Sequence, residues 1–249
     1  MQSTIVRIAA AAAAILCFSA ASADQAADSQ LATAILSSDL AMARAAIDAG
    51  ADINADLGEG RTPLITAVMS RKPLAVKLLL DRGADPNSRA HDPAIGNAVT
   101  AAFFAMNGMA LTGRTDEPDP AKRAEAISVL RLVAARRPDC NVLVSRGATQ
   151  VTALMMAAEA GLPDVVKILL DAGASPNVAN DGKYTALHYA VGRPPVWSQA
   201  TSAERVQIVK LLLAAGAQRD PKGADGLNAI ERARRSGNQA LVETLAVVF

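Results

Sequence analysis

Aromatic residues make up only 3% of this 249-residue chain. That scarcity excludes an interior built on stacked rings and leaves small and aliphatic side chains, packed helix against helix, to fill a core. Charge of one sign is lacking too: 25 Lys+Arg against 24 Asp+Glu leave +1, so bulk charge does not steer the chain toward nucleic acid or anionic lipid. Histidine occurs twice, at His91 and His188. His91 lies beside Asp92 with no second histidine or thiol near it in sequence, too few ligands for a zinc site. A nucleophile elbow, a phosphate loop, a zinc-ligand pair and a dinucleotide fingerprint are all missing at the spacing each requires.

Long apolar runs are missing as well. Ile8 to Phe18 is an uninterrupted run of eleven residues, well short of the roughly 20 that span a bilayer. With Arg7 before it and the small residues Ala21, Ser22 and Ala23 after it, the run reads as a cleavable export signal over residues 1–23. Lipidation of Cys17 is the alternative, although Cys17 follows the bulky Leu16 where lipoprotein signals usually carry a small residue. Cleavage before Asp24 would remove Arg7, balance the mature charge, and leave Cys140 alone without a disulfide partner. A periplasmic or secreted protein, not inserted in the membrane once the signal is gone, is the expectation.

What the sequence does contain is a period of 33. Gly50-Ala51-Asp52-Ile53-Asn54 returns as Gly83-Ala84-Asp85-Pro86-Asn87, and Thr152-Ala153-Leu154 returns as Thr185-Ala186-Leu187. The segments GRTPLITAV with LAVKLLLDRGADPN, VTALMMAAEAG with PDVVKILLDAGASPN, and KYTALHYAVG with ERVQIVKLLLAAGAQRD closely resemble the ankyrin repeat. Weaker copies are SQLATAI with MARAAIDAGADIN, NAVTAAF with VLRLVAARRPDCN, and GLNAIERARRSGNQALVETL. The resemblance implies an all-α solenoid of about six helix-turn-helix repeats over 24–249, at roughly 29–56, 57–89, 90–143, 144–179, 180–222 and 223–249. A repeat alanine lies 20 positions before the loop asparagine in three copies, but Ala102 to Asn141 is 39 and Ala190 to Asp220 is 30. Repeats 3 and 5 therefore carry insertions, and NGMALTGRTDEPDP and GRPPVWSQATSAE, rich in glycine and proline, read as loops. Thr62, Thr152 and Thr185 stand where a side-chain oxygen caps a first helix. Polar residues in the end repeats read as solvated caps.

The resemblance also implies a non-catalytic, cofactor-free module that binds a protein partner through its concave side and turn tips. Matching each copy to the repeat pattern puts Thr33 and Leu36, Thr66 and Met69, Ala101 and Phe104, Met156 and Glu159, Tyr189, then Arg232 and Arg235 on that side. Met69, Phe104, Met156 and Tyr189 suggest a groove for an apolar or helical segment; core packing is the competing reading. At the tips stand Glu59 and Arg61, Lys183 and Tyr184, and Lys222 with Asp225. Tyr184 is the first choice among them, since an exposed aromatic costs solubility unless something covers it. Trp197 in the second insertion is either a partner anchor or a pin for its own loop. His188 takes the repeat's histidine position and a structural role. Cys140 reads as an unreactive thiol, and Asp116, Glu117 and Asp119 as solvated loop. A monomer is expected. An inhibitor or immunity factor occluding an exported enzyme or toxin is an alternative function, and an envelope enzyme using the insertions as a lid is a weaker one.

Overall fold

The computed structural model describes residues 25–58, 60–90, 92–93, 95–106, 120–192 and 200–246. Among them twelve helices pair off in chain order as six helical hairpins. They are α1 (25–37) with α2 (Leu40–Asp48), α3 (Pro63–Met69) with α4 (Pro73–Asp81), and α5 (Ala98–Met106) with α6 (Pro120–Ala134). α7 (Ala153–Ala160) then pairs with α8 (Pro163–Asp171), α9 (Ala186–Val191) with α10 (Ser202–Ala214), and α11 (Ala229–Arg235) with α12 (Gln239–Ala246).

Local chemistry sets the helix boundaries. Thr62 accepts a hydrogen bond from the Ile65 amide while Pro63 occupies the first helical position, where its missing N–H costs nothing. Thr152 caps α7 in the same way. At Thr185 a histidine contributes: His188 Nδ1 accepts from the Thr185 amide at 3.1 Å and lies 3.0 Å from its hydroxyl. Gly50, Gly83, Gly173 and Gly216 follow the ends of the second helices with φ between +85° and +102°, a conformation open to glycine and strained for other residues.

A column of alanines permits the stack. Ala34, Ala67, Ala102, Ala157, Ala190 and Ala233, one per repeat, are each no more than 1% exposed. Side chains this short let the first helices approach closely. The second helices contribute the bulk of the core through Val76 and Leu79, Leu130 and Val133, Val166 and Leu169, and Ile208 and Leu212. Cys140 belongs to this interior, where burial pushes its thiol pKa up to about 11, so it is protonated and inert near neutrality.

The repeats are tied at their loops by asparagine side chains. Asn54 accepts from the Asp85 amide at 2.9 Å, Asn87 from Asp139 at 2.7 Å, Asn141 from Ser175 at 2.8 Å and Asn177 from Gln218 at 2.9 Å, while Asp28 on α1 accepts from Asp52 at 2.7 Å within the first repeat. The turn tips form a second row: the Ser145 amide donates to the Pro93 carbonyl and the Ala224 amide to that of Gly182.

Two details depart from an all-loop reading of the connections. The insertions are in part helix: α6 has 15 residues and α10 has 13, where α4 and α8 have nine. Residues 202–204 of the second insertion are the first turn of α10, because Thr201 and Glu204 form a reciprocal capping box. The rest of both insertions, 107–119 and 193–199, lies outside the described residues. Between repeats 3 and 4 the tip is a short antiparallel hairpin, β1 (Val144–Arg146) with β2 (Thr149–Val151), closed through Gly147 at φ +62°.

Asn141→Ala would strip the Ser175 amide of its half-buried acceptor. A loss of about 1–2 kcal/mol is expected, measured by urea unfolding, with a smaller loss for Asn54→Ala at an exposed rung.

Candidate partner-binding site

In the inner repeats neighbouring first helices cover each other's flanks, so only a narrow stripe of each stays open. In α7 every residue except Glu159 is buried. Thr66, Met69, Phe104, Glu159, Tyr189 and Arg232 are half-buried along this stripe, and Thr33, Leu36 and Arg235 are exposed. Two positions assigned to it from the sequence are wrong. Met156 is 3% exposed and Ala101 is fully buried, because the helices on either side close over them. Glu59, His91, Asp116, Glu117, Asp119 and Trp197 lie outside the described residues.

Four of the predicted positions meet in one place. Glu159 from α7, His188, Tyr189 and Gly192 from α9 and its end, Arg232 from α11 and Tyr184 from the tip line a pocket of about 180 Å³. Tyr184 is not the exposed tip aromatic expected. Arg232 lies over its ring at 4.6 Å from the centroid, and His188 and Tyr189 meet it edge-on at 5.7 and 6.4 Å. Its hydroxyl accepts from the Asp225 amide at 3.3 Å. The cover that an aromatic at this position requires thus comes from the next repeat. Glycines make room for the ring: a Cβ on Gly223 would lie 2.0 Å from Tyr184 Cε1, and one on Gly182 2.9 Å from its Cδ2.

Each charged group in the pocket is held from behind. Asp225 Oδ2 accepts from Arg232 Nε at 3.1 Å and Nη2 at 2.8 Å. Arg146 on β1 donates to Glu159. The Tyr189 hydroxyl accepts from Asn180 Nδ2 at 3.1 Å, and burial followed by the Glu159 charge raises its pKa above the usual phenol value. His188 is buried, its Nδ1 held by Thr185 and its Nε2 3.1 Å from the carbonyl of Pro221, in the segment that leads into the last repeat. Since Nδ1 accepts from an amide, Nε2 carries the proton and donates. Burial, then the Arg232 charge, lowers the His188 pKa and keeps the ring neutral. Its structural role is as the resemblance implied, and it forms a pocket wall besides. Arg146, Asn180 and Gly192 had no sequence signal as site residues, because their partners lie in other repeats or across a hairpin.

The family model described as ankyrin repeats in three copies matches residues 8–90 and 121–196, and the single ankyrin repeat model matches 182–224. This chain belongs to the ankyrin repeat family. No curated protein matches it. Among solved structures, the ankyrin repeat protein EF0377 is 26% identical with a TM-score of 0.68, covering 89% of this chain and 98% of its own. An ankyrin repeat domain from Acinetobacter baumannii shares the fold at 24% identity and a TM-score of 0.68, over 86% of this chain and 95% of its own. A chain in the complex of the Bdellovibrio bacteriovorus predatory endopeptidase Bd0816 with immunity protein Bd3460 shares it at 21% identity and 0.62, over 87% and 96%. As an ankyrin repeat protein the chain is a protein–protein interaction module, and such proteins are generally binding modules rather than enzymes. Among the described residues no helix is long and apolar enough to cross a membrane.

Gly223→Ala should expel the Tyr184 ring and cost about 1–3 kcal/mol, read as a fall in unfolding free energy with loss of the near-ultraviolet tyrosine dichroism. A second expectation concerns pH. With its folded pKa depressed, His188 contributes stability that is present above its unfolded pKa near 6.5 and is lost as pH falls toward the folded value. The melting temperature should therefore drop between pH 7.5 and 5.5, and less so in His188→Gln, which keeps a side chain able to cap Thr185 but does not titrate.

Proposed function

We propose that this chain is an exported binding module that grips a protein partner along its concave stripe, centred on Glu159, Tyr184, Tyr189 and Arg232, with Met69 and Phe104 further along and Arg235 at its end. The observation that carries this reading is the pocket: two tyrosines and an arginine, the residue types that most often anchor interfaces, are half-buried at one place on a surface already rigid. Because the side chains are held by ring contacts and ion pairs before any partner arrives, little ordering entropy remains to be lost on binding. Among the described residues, both His188 nitrogens are bonded and the Cys140 thiol is buried, which favours recognition over catalysis there. Export rests on the charged, apolar and small-residue segments within residues 1–23.

An inhibitor or immunity factor is the second reading. It is favoured by the shared fold with a chain of the endopeptidase–immunity protein complex and by the insertion carrying Trp197, which could reach into a partner's active site. Affinity capture from the envelope fraction tests the common part. Tyr189→Ala combined with Arg235→Glu should lower recovery of the captured partner tenfold or more while far-ultraviolet dichroism stays unchanged; undiminished capture would remove the concave stripe as the binding surface. Deleting 193–199 should abolish inhibition of a captured enzyme only on the second reading. N-terminal sequencing of the mature protein should begin at Asp24.

A further inference from the structure

The geometry points to the pocket between α7, α9 and α11 as a receptor for one acidic side chain, an aspartate or glutamate of the partner. This deepens the proposed concave-stripe reading and rests on it. Size comes first: about 180 Å³ is below the roughly 300 Å³ at which small-molecule pockets begin, yet ample for the end of a single side chain.

The hydrogen-bonding inventory then gives the sign. Arg232 uses Nε and Nη2 on Asp225, and both bonds fall on one oxygen, Oδ2. Its Nη1 stands beside Gly192, 3.7 Å from where a Cβ there would be, and is the donor left over. The Tyr184 hydroxyl accepts from the Asp225 amide, which leaves its phenolic proton able to donate, while the Tyr189 hydroxyl is engaged by Asn180 Nδ2 and by Thr149. His188 has both nitrogens engaged. Glu159 is the one carboxylate among the residues lining the pocket, and it already holds Arg146.

Glu159 also faces a second cation. Arg205 is 4% exposed and donates Nη2 to the carbonyls of Ala190 and Gly192, while its Nη1 has no partner among the described residues. Neutral carbonyls do not compensate its charge, and Glu159 is the carboxylate that acts on it. It shares the Gly192 segment with Arg232, one bonded to the residue's carbonyl and the other 3.7 Å from where a Cβ on it would lie. A carboxylate entering here would meet Arg232 Nη1 and the Tyr184 phenolic proton, with the buried Arg205 bonded to the carbonyl of the lining residue Gly192. An entering ammonium would meet Glu159 between two arginines.

The test uses the full mature chain and capped single residues, titrated while the side-chain resonances of Tyr184, Tyr189 and the arginine guanidinium groups are followed by NMR. N-acetylaspartate N-methylamide should shift the two tyrosines and Arg232 saturably. Arg232→Gln should weaken binding about tenfold or more, the effect of losing one charge-assisted hydrogen bond. Because that change also removes the Asp225 ion pair and can loosen the last repeat, Gly192→Ala provides a second probe: it narrows the pocket with every charge in place and should also weaken binding. Glu159→Gln should tighten it several-fold, since a repelling carboxylate disappears. Weaker binding in Glu159→Gln, preference for N-acetyllysine N-methylamide, or equal binding of N-acetylalanine through its terminal carboxylate would each overturn the assignment. Failure of envelope capture with the titration intact would overturn the partner surface instead.

Discussion

The stack depends on a single repeated interaction, the acceptance of a backbone amide by a loop carboxamide from the repeat before. Four such bonds run from Asn54 to Asn177, and Asp28 on α1 makes the corresponding bond within the first repeat. Each satisfies an amide that the turn itself leaves without a partner, and each fixes the distance from one loop to the next. Helix packing alone would allow neighbouring hairpins to slide. A bond between a side chain and one particular amide permits only one register, and the turn tips inherit it.

The insertions show how strong that constraint is. Asn87 reaches Asp139 across 52 positions and Asn177 reaches Gln218 across 41, where Asn54 to Asp85 needs 31 and Asn141 to Ser175 needs 34. The additional chain is accommodated by lengthening α6 and α10 and by the segments leading into them, while the loop spacing on the other side is kept. Insertion at the helix-to-helix junction leaves both the alanine column and the ladder intact.

Register matters for function because the pocket is shared by three repeats. Tyr184 is shaped by Gly223 from the next tip and held by Arg232 from the next helix, and Glu159 comes from the repeat before. A slip of one residue between repeats would separate these groups. Neutral His188, bonded to its own cap and to the Pro221 carbonyl, pins the junction where the slip would occur. Stability and recognition therefore draw on the same contacts. A gain in one is coupled to the other at Tyr184, Gly223 and His188.

Much of this was legible before any coordinates. A period of 33, the Gly-Ala-Asp loops and the capping threonines describe interactions within one repeat or between equivalent positions of neighbours, and such interactions are periodic by construction. They determined the six hairpins, the two insertions and the presence of Glu159, Tyr184, Tyr189 and Arg232 along one side. Exposure was less legible. Met156 and Glu159 belong to one helix and were assigned to one face, yet only the tertiary structure decided which stays open, because α5 and α9 close over α7 from both sides. The pairing of Arg146 with Glu159, the stacking of Arg232 on Tyr184 and the room made by Gly223 are likewise products of the stack. They depend on side chains that break the repeat rather than follow it, and a departure from a period carries no information about what it will touch until the neighbours are in place.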